Sequence, residues 1–368
     1  HSIPTPSQPL ENIGGMQRVA SDLHDALQKH PDVSLDTLLL RTSWRWTHVL
    51  TGPFLAGLLW RIPALARRRK IDVVLYSSMV TAAVSPLLAR RLRKLGVRTA
   101  AIAHGRDVTL PNPAYQKLLP RLFDALDLVL PVSRATGAAC LERGLAAEKL
   151  HVVPNGIEVE RFPWPIDKPA ARARLATRLN DWNLDSGDLL LCSVGRHVER
   201  KGFGWFIEQV MPALPDSIHY VLAGEGPETE RLRTLIRERS LGSRVTLLGR
   251  VDEDTLRLLY QAADLFVMPN VPVPGDMEGF GVVMLEAGLS GLPTIASGLE
   301  GIRDVICEGE NGRLVQPGDA SAFRQAVASY AGDRQRLRQD GERARAYVSG
   351  AFSWEKVAGR YVQALRPI

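Results

Sequence analysis

Two glutamates eight positions apart, Glu278 and Glu286, have the type and spacing to bind a polar ligand. Prolines and glycine over 271–277 exclude regular structure before the first glutamate, whereas apolar residues with helical spacing over 282–289 predict a buried helix around the second. Glu278 is therefore predicted in a loop before a helix N-terminus, and Glu286 more than one turn inside that helix. There a carboxylate can accept two hydrogen bonds from a vicinal diol such as a ribose. A helix-terminal glutamate followed by a solvated one would leave the same pattern.

Glycines and cations elsewhere in the second half of the chain suit a diphosphate. Gly279 and Gly281 leave the backbone bare, so that a ligand can approach the N–H groups and the positive end of the predicted helix. Arg196 and Lys201, five positions apart, follow a predicted strand and combine a bidentate fork with a point charge. Gly224 ends the next strand in a tight turn, which is explained equally by a bordering nucleotide and by a plain turn.

Other polar residues lie at predicted strand ends or helix starts. His104 closes the predicted strand 99–103, where an imidazole can hydrogen-bond a sugar hydroxyl, polarise a reacting group or be purely structural. Ser133 precedes a predicted helix and is explained by an N-cap as well as by a ligand contact. Asp252 and Asp254 match a D-x-D pattern of some metal-dependent transferases, but we interpret Asp252 as an N-cap with acids on the helix dipole.

These residues are carried by short apolar runs that alternate with helical patterns, which is typical of α/β units with parallel sheets. Strands are predicted at residues 35–40, 73–77, 99–103, 128–132 and 151–153, and again at 189–194, 219–223, 244–248, 265–268, 294–296 and 313–315. The series restarts after a polar joint over 155–186. We predict two doubly wound, Rossmann-like domains facing a central cleft, one of residues 1–155 with 353–368 and one of residues 156–352.

A glycine pair, Gly14 and Gly15, predicts a turn that opens the first helix. Such a turn normally follows a strand, yet residues 1–13 contain three prolines and no strand pattern. We therefore predict that the first strand of the N-terminal sheet is missing, which would leave a neighbouring strand less covered.

Composition and charge narrow the class of protein. With 368 residues, 45% hydrophobic and 23% charged, the chain suits a soluble protein of two domains. Three scattered cysteines and the lack of a signal-peptide pattern in residues 1–12 predict a cytoplasmic protein and argue against a disulfide framework or zinc site. Residues 1–155 carry 20 Lys and Arg against 11 Asp and Glu, which favours an anionic surface or substrate, or serves solubility alone. Nucleic acid is not expected as a partner, because aromatic interleaving and a known binding module are missing.

The segment 44–70 combines tryptophans and aliphatic residues with a basic end. After Pro53 its apolar residues share one helical face, but Arg61 and Pro63 are expected to interrupt it too much to span a bilayer. Two interpretations remain open. The segment lies on an anionic membrane, assisted by the basic cluster 90–94, or it is a core-facing helix with a solvated basic end.

Taken together, these residues resemble the retaining glycosyltransferases of family 4, which have the GT-B fold. The resemblance covers nearly the whole chain and rests on Gly14-Gly15, His104-Gly105, Asn155-Gly156-Ile157, Gly195-Arg196 with Lys201-Gly202, Gly224-Glu225-Gly226, residues 262–267 and the glutamate pair. The stretch 277–297 is similar to bacterial mannosyltransferases that act on phosphatidylinositol, and also to many other members. These motifs are specific for the family and the fold but not for the substrate.

The resemblance implies transfer of a hexose from a UDP- or GDP-sugar, with ADP third, to a hydroxyl of a glycan, lipid or small molecule. It implies retention of anomeric configuration and no metal or other cofactor. The acceptor stays open; a lipid-linked one, with contact to the inner face of an anionic membrane, would explain the segment 44–70. By this resemblance Arg196 and Lys201 would bind the diphosphate, and Glu286 would bind the ribose. Glu278, with the N–H groups of Phe280, Gly281 and Val282, would bind the hexose and its phosphate, and His104 would contact the transferred sugar. Gly14 and Gly15 would let the diphosphate or the acceptor approach the backbone, Gly224 would border the nucleotide, and the backbone near Val251 would contact the base.

Two alternatives stay open beside transfer. A nucleotide-sugar epimerase of the same fold would use the same donor without an acceptor. A non-catalytic nucleotide-binding protein would bind the donor nucleotide without turnover, which the expected missing strand makes more plausible.

Overall fold

The computed structural model describes residues 2–3, 15–41, 44–178 and 187–366, and the chain divides into two compact units. The first unit comprises residues 1–156, 275–280 and 354–368, and the second comprises 157–274 and 281–353. The chain passes from the first unit to the second after residue 156 and returns after residue 353, and both boundaries lie within one residue of the predicted ones. The short stretch 275–280, which the sequence analysis placed in the C-terminal domain, instead belongs to the first unit.

The bounds of the regular elements follow the alternating pattern of the sequence. The strands are β1 Ser2–Ile3, β2 Leu40–Arg41, β3 Val73–Tyr76, β4 Arg98–Ala103, β5 Leu128–Pro131, β6 Leu189–Val194, β7 Ile218–Ala223, β8 Val245–Gly249, β9 Leu265–Met268, β10 Thr294–Ser297 and β11 Gly312–Val315. The helices are α1 Gly15–Lys29, α2 Trp44–Arg69, α3 Ser85–Lys94, α4 Arg106–Thr109, α5 Pro113–Ala125, α6 Arg134–Leu141, α7 Lys168–Arg178, α8 Phe203–Gln209, α9 Thr229–Glu238, α10 Glu253–Ala262, α11 Val282–Leu289, α12 Ile302–Val305, α13 Ala320–Ala328, α14 Arg334–Phe352 and α15 Trp354–Leu365.

The second unit is built on one parallel sheet with the order β8-β7-β6-β9-β10-β11. Its four inner strands, β7, β6, β9 and β10, are almost fully buried, whereas the edge strands β8 and β11 are partly exposed. Burial of the inner strands is expected for a parallel sheet that is covered by helices on both faces. The strand order reverses between β6 and β9, because β7 and β8 lie on one side of β6 and β9, β10 and β11 on the other. Ligands of doubly wound sheets bind at such a switch point, outside the carboxyl ends of the strands.

One buried carboxylate at the opposite end of this sheet joins three segments of the second unit. Asp264, which precedes β9, is 1% exposed at its side chain and forms ion pairs with Lys168, Arg172 and Arg334. It also accepts a hydrogen bond of 2.8 Å from the Leu190 N–H in β6. Burial lowers the pKa of the Lys168 ammonium, so the neighbouring carboxylate is what favours its charged form. This cluster attaches α7 and α14 to the sheet.

The first unit contains a parallel sheet in the order β3-β4-β5. The predicted strand 151–153 lies beside β5 and donates backbone hydrogen bonds of 3.1 and 2.9 Å to Val129 and Pro131, without becoming a regular strand. The prediction of a strand over 35–40 was too long, because only β2 forms there. The expectation that no strand precedes α1 was wrong in detail, since the two-residue β1 lies there and pairs with β2 through its backbone.

Helix α2 runs unbroken through Pro53 and Pro63, so the expected interruption of the segment 44–70 was wrong. Its buried side chains, Leu58, Ile62 and Ala66, pack against the core of the first unit, and this packing offsets the lost backbone hydrogen bonds. Val49–Arg69 is long and apolar enough to cross a membrane by length and composition alone, although 22% of that window is buried within the protein.

Candidate functional site

The loops that follow β6 and β7 touch through their backbones. The Gly195 N–H donates to the Ala223 carbonyl at 3.0 Å, and the Gly224 N–H donates to the Gly249 carbonyl at 2.8 Å. A Cβ atom at Gly224 would lie 1.9 Å from the Gly195 carbonyl oxygen, so a larger residue cannot occupy that position without moving the backbone. The turn at Gly224 is therefore more than a plain reversal, because it sets the path of the neighbouring loop that carries Arg196.

His197 clamps the same two loops and was missed by the sequence analysis. Its N–H donates to the Glu225 carbonyl, its carbonyl accepts from the Glu228 N–H, and its Nδ1 lies 3.0 Å from Thr229 Oγ1. The imidazole is fully buried, and burial lowers its pKa below the ordinary value. A neutral, buried histidine in this position fixes the geometry of the two loops.

The loop after β6 is also fixed against the end of β9, across the switch point. Gly202 has φ 67°, and a Cβ there would lie 1.9 Å from the Pro269 carbonyl oxygen. The Val271 N–H donates to the Arg200 carbonyl at 3.0 Å. This geometry requires glycine at 202 on both steric and conformational grounds. It also fixes the position of Lys201, the residue before it.

The two predicted cations differ in their exposure. Lys201 is 6% exposed, and its Cε and Nζ lie 3.3 and 3.8 Å from the position that a Cβ would take at Gly195. Its ammonium therefore lies at the carboxyl end of β6, as the motif predicts. Arg196 is exposed and follows Gly195 directly. One held and one solvent-facing cation at a switch point suit an anionic ligand with more than one charged group.

Glu286 lies inside α11, as predicted, as the fifth residue of that helix. The helix begins at Val282 after the N-cap residue Gly281, whose φ is 88°, so the chain turns sharply between the two glutamates. Glu286 is 5% exposed, and its Oε2 accepts a hydrogen bond of 2.9 Å from the hydroxyl of Tyr260 in α10. Tyr260 was not among the residues predicted for the site.

Glu278 and Phe280 lie in the first unit rather than in the second, together with His104. A Cβ at Gly279 would lie 2.0 Å from the His104 carbonyl oxygen, and one at Gly105 would lie 2.9 Å from the Gly279 Cα. This backbone contact explains why residues 275–280 belong to the first unit. Glu278 is 8% exposed. The glutamate pair is thus divided, with Glu286, Gly281 and Val282 in the second unit.

His104 is held by two neighbouring strand ends of the first unit. Its Nε2 lies 2.9 Å from the Ser77 carbonyl, and because a carbonyl only accepts, the proton is on Nε2. The His104 N–H donates to Asp107 Oδ1 at 2.7 Å, and Asp107 Oδ2 accepts from the Met79 N–H at 3.1 Å. Asp107 therefore aligns the ends of β3 and β4, a role that the sequence analysis did not assign.

The remaining predicted positions have simpler surroundings. Ser133 Oγ accepts from the Thr136 N–H, and Asp252 Oδ1 accepts from the Thr255 N–H at 2.7 Å, so both are confirmed as N-caps. Within the described ranges, no group of three or more His, Cys, Asp and Glu side chains is placed to hold a metal ion. Val251 is half-buried just beyond β8 and Gly15 is the exposed first residue of α1, whereas Gly14 lies outside the described residues.

Each unit therefore has its own set of functional groups. The second unit combines two cations, a helix with a glycine N-cap and a buried carboxylate, which together suit an anion linked to a diol. The first unit combines an oriented histidine with the Glu278 carboxylate.

Comparisons with known proteins connect these groups to a family. A model described as Glycosyltransferase Family 4 matches residues 13–161, and one described as Glycosyl transferases group 1 matches residues 188–333. The chain is 31% identical to a GDP-mannose-dependent alpha-(1-6)-phosphatidylinositol monomannoside mannosyltransferase of Mycobacterium tuberculosis, over 83% of this chain and 78% of that protein. It is 29% identical to a monoacylated phosphatidylinositol monomannoside mannosyltransferase of Corynebacterium glutamicum, over 91% and 85%. The crystal structure of HepE from Anabaena in complex with UDP matches with a TM-score of 0.74 at 18% identity, over 98% of both chains.

Replacing Gly202 with alanine is expected to destabilise the second unit. The added Cβ would collide with the Pro269 carbonyl and would force an L-residue into left-handed backbone, so the free energy of unfolding should fall by about 2 kcal/mol or more. Denaturant unfolding followed by tryptophan fluorescence measures the change. Gly242→Ala is the matched control, because its Cβ would point into open space and should shift stability by no more than about 0.5 kcal/mol. Equal stability of the two variants would contradict the close contact.

Proposed function

We propose that this chain, which belongs to glycosyltransferase family 4, transfers a hexose from a UDP- or GDP-sugar to an acceptor hydroxyl and retains the anomeric configuration. The observation that carries the proposal is the second unit's switch point. There Lys201 is held at the end of β6 by the backbone contact at Gly202. In the same unit, a buried glutamate lies in α11.

The second unit takes the nucleotide part of the donor. Lys201 and Arg196 bind the diphosphate, with the N–H groups at the start of α11 as further donors. Glu286 accepts hydrogen bonds from the ribose diol. The turn at Gly224 borders the nucleotide, and the backbone near Val251 meets the base. The donor candidates are GDP, which the mycobacterial relative uses by name, and UDP, which HepE holds, with ADP third.

Glu278 and His104 act on the sugar rather than on the nucleotide. Glu278, with the N–H groups of Phe280, Gly281 and Val282, holds the hexose and its phosphate. His104 contacts the transferred sugar through a ring whose tautomer is set by Ser77. The nucleotide part of the donor is thus assigned to the second unit, and the contacts of Glu278 and His104 with the sugar to the first.

The chemistry needs positive charge where the leaving group develops negative charge. Lys201, Arg196 and the start of α11 supply it from fixed positions, so the residues of this chain stabilise the departing nucleoside diphosphate without a metal ion. Among the residues that the structure describes, we identify no carboxylate nucleophile, and we therefore assign a front-face attack. The bond from the anomeric carbon to the phosphate oxygen breaks, the acceptor oxygen bonds to the same face, and its proton passes to the departing phosphate.

Two substitutions test the assignment. Lys201→Ala and Glu278→Ala should each lower kcat/KM for transfer by about 10²-fold or more, because each removes one preorganised electrostatic contact to the transition state. The control, Lys117→Ala, removes an exposed lysine of the first unit and should leave the rate unchanged. The rates are measured with purified protein, a UDP- or GDP-hexose and an acceptor, after thermal melting has shown that each variant is folded.

The same reaction distinguishes transfer from its alternatives. NMR of the product should show the anomeric configuration of the donor, and an inverted product would overturn the front-face mechanism. Conversion of the nucleotide-sugar to another sugar without an acceptor would indicate an epimerase instead. Near-normal turnover in both variants would mean that the site lies elsewhere.

Helix α2 has an exposed face that bears on the acceptor. Trp60 is 74% exposed, Val49 61% and Trp46 59%, although the opposite side of the helix is packed in the core. Its last turn carries Arg67, Arg68 and Arg69, all exposed. Exposed tryptophans followed by a basic cluster suit the interface of an anionic bilayer. We propose that α2 lies on the cytoplasmic face of such a membrane and that the acceptor is lipid-linked.

Vesicle flotation tests the membrane contact. Wild-type protein should float with vesicles that contain anionic phospholipid and not with neutral vesicles, and Trp60→Ser or the pair Arg68→Ala and Arg69→Ala should weaken binding by about tenfold. The matched control is the pair Arg231→Ala and Arg233→Ala, which removes two exposed arginines from α9 in the second unit. Equal binding to both kinds of vesicle, or equal losses in both arginine pairs, would contradict the proposal.

A further inference from the structure

Tyr260 is a buried tyrosine whose hydroxyl donates a hydrogen bond to a carboxylate. The residue is fully buried in α10, and its hydroxyl donates to Oε2 of Glu286 at 2.9 Å. Another fully buried tyrosine of the second unit, Tyr220, donates to the uncharged hydroxyl of Ser193 at 2.8 Å. A buried hydroxyl needs a partner, but placing a carboxylate beside it costs desolvation that a neutral partner would not. The hydrogen bond between Tyr260 and Glu286 is therefore not explained by packing alone.

The ring of Tyr260 is in contact with two aromatic neighbours. The ring centroid of Phe162 lies 6.4 Å away with an interplanar angle of 68°, and that of Phe266 lies 6.1 Å away at 47°. Phe266 belongs to β9, one of the two strands at the switch point. Edge-to-face and tilted contacts of this kind orient a ring, so the hydroxyl has a defined position before any ligand binds.

The hydrogen bond from Tyr260 occupies a small part of the acceptor capacity of the Glu286 carboxylate. A carboxylate has about four lone-pair sites on two oxygens, and Tyr260 uses one of them. A vicinal diol needs two acceptor sites in a fixed geometry. A carboxylate whose rotation is restrained by a rigid donor presents those sites without losing further freedom on binding.

We infer that Tyr260 is a positioning residue that orients the Glu286 carboxylate for the ribose diol of the donor nucleotide. This inference rests on the proposed function, in which Glu286 binds the ribose. Tyr260 would thereby favour ribonucleotides over 2′-deoxyribonucleotides without contacting the ligand, because its hydrogen bond is to Glu286.

The test is Tyr260→Phe, which removes one oxygen and keeps the packed ring. Affinities for UDP, GDP and ADP and for their 2′-deoxy forms are measured by isothermal titration calorimetry on the full chain. Wild type should prefer one ribonucleotide to its 2′-deoxy form by about tenfold, as expected for a hydrogen bond to a charged group. Tyr260→Phe should weaken that ribonucleotide by about tenfold and change the 2′-deoxy form little, so that the preference disappears.

The control is Tyr330→Phe, which removes a hydrogen bond of 2.8 Å from a tyrosine hydroxyl to Asp340 in the same unit. It should leave the ribose preference unchanged. A second variant, Phe162→Leu, removes one of the rings that hold Tyr260 and should reduce the preference part of the way. If Tyr260→Phe folds poorly, Phe162→Leu still tests whether the position of the Tyr260 ring determines the ribose preference.

The outcomes separate the inference from the function on which it rests. If the wild type binds one ribonucleotide and its preference survives in Tyr260→Phe, or survives unchanged in Phe162→Leu, the positioning role is wrong and the proposed function stands. If Tyr260→Phe weakens the ribonucleotide and its 2′-deoxy form equally, the residue is structural only. If the wild type binds none of the nucleotides, both the inference and the proposed function fail.

Discussion

Backbone packed directly on backbone at the strand ends is the constraint on which the rest of the second unit depends. Gly224 leaves no space for a Cβ beside the Gly195 carbonyl, and Gly202 leaves none beside the Pro269 carbonyl. These contacts join the loops after β6, β7 and β9, which flank the switch point of the sheet. Because the backbone is fixed there, the side chains that follow each strand project from defined positions. A rigid scaffold of this kind lets charged groups be in place before a ligand arrives.

The chemistry proposed for the chain follows from what those positions carry. Lys201 is buried beside Gly195, so its charge is less screened than that of the exposed Arg196. Glu286 is buried within α11 and held by Tyr260, whereas Glu278 is held in the first unit by the contact between Gly279 and His104. Cations for a diphosphate, one carboxylate for a diol and another for a sugar are the groups that a nucleotide-sugar donor would require. Membership of glycosyltransferase family 4 agrees with this set.

The sequence predicted the features that depend on local pattern. Short apolar runs that alternate with helical patterns located most strands of the two larger sheets. The placement of Glu278 in a loop and Glu286 in a helix was confirmed because helical spacing begins at Val282. Ser133 and Asp252 were recognisable as N-caps because a cap acts within three residues of itself. Such signals need no knowledge of distant contacts.

The features that the sequence did not predict depend on residues far apart in the chain. Tyr260 and Glu286 are 26 residues apart, and Asp264 meets Arg334 across 70. Periodicity carries no information about such pairs. The continuity of α2 through its two prolines, and the transfer of 275–280 to the first unit, are likewise decided by packing that local propensity does not reveal.

We propose that the second unit holds a nucleoside diphosphate through Glu286. A thermal-shift experiment tests this directly, in which UDP, GDP, ADP and dTDP are each added to the wild type and to Glu286→Ala. A nucleotide at about 100 times its Kd should stabilise the wild type by roughly 2.7 kcal/mol, which raises the Tm by several degrees. One ribonucleotide should raise the Tm of the wild type and leave that of Glu286→Ala nearly unchanged. Absence of a shift with any nucleotide, or an equal shift in the variant, would contradict it.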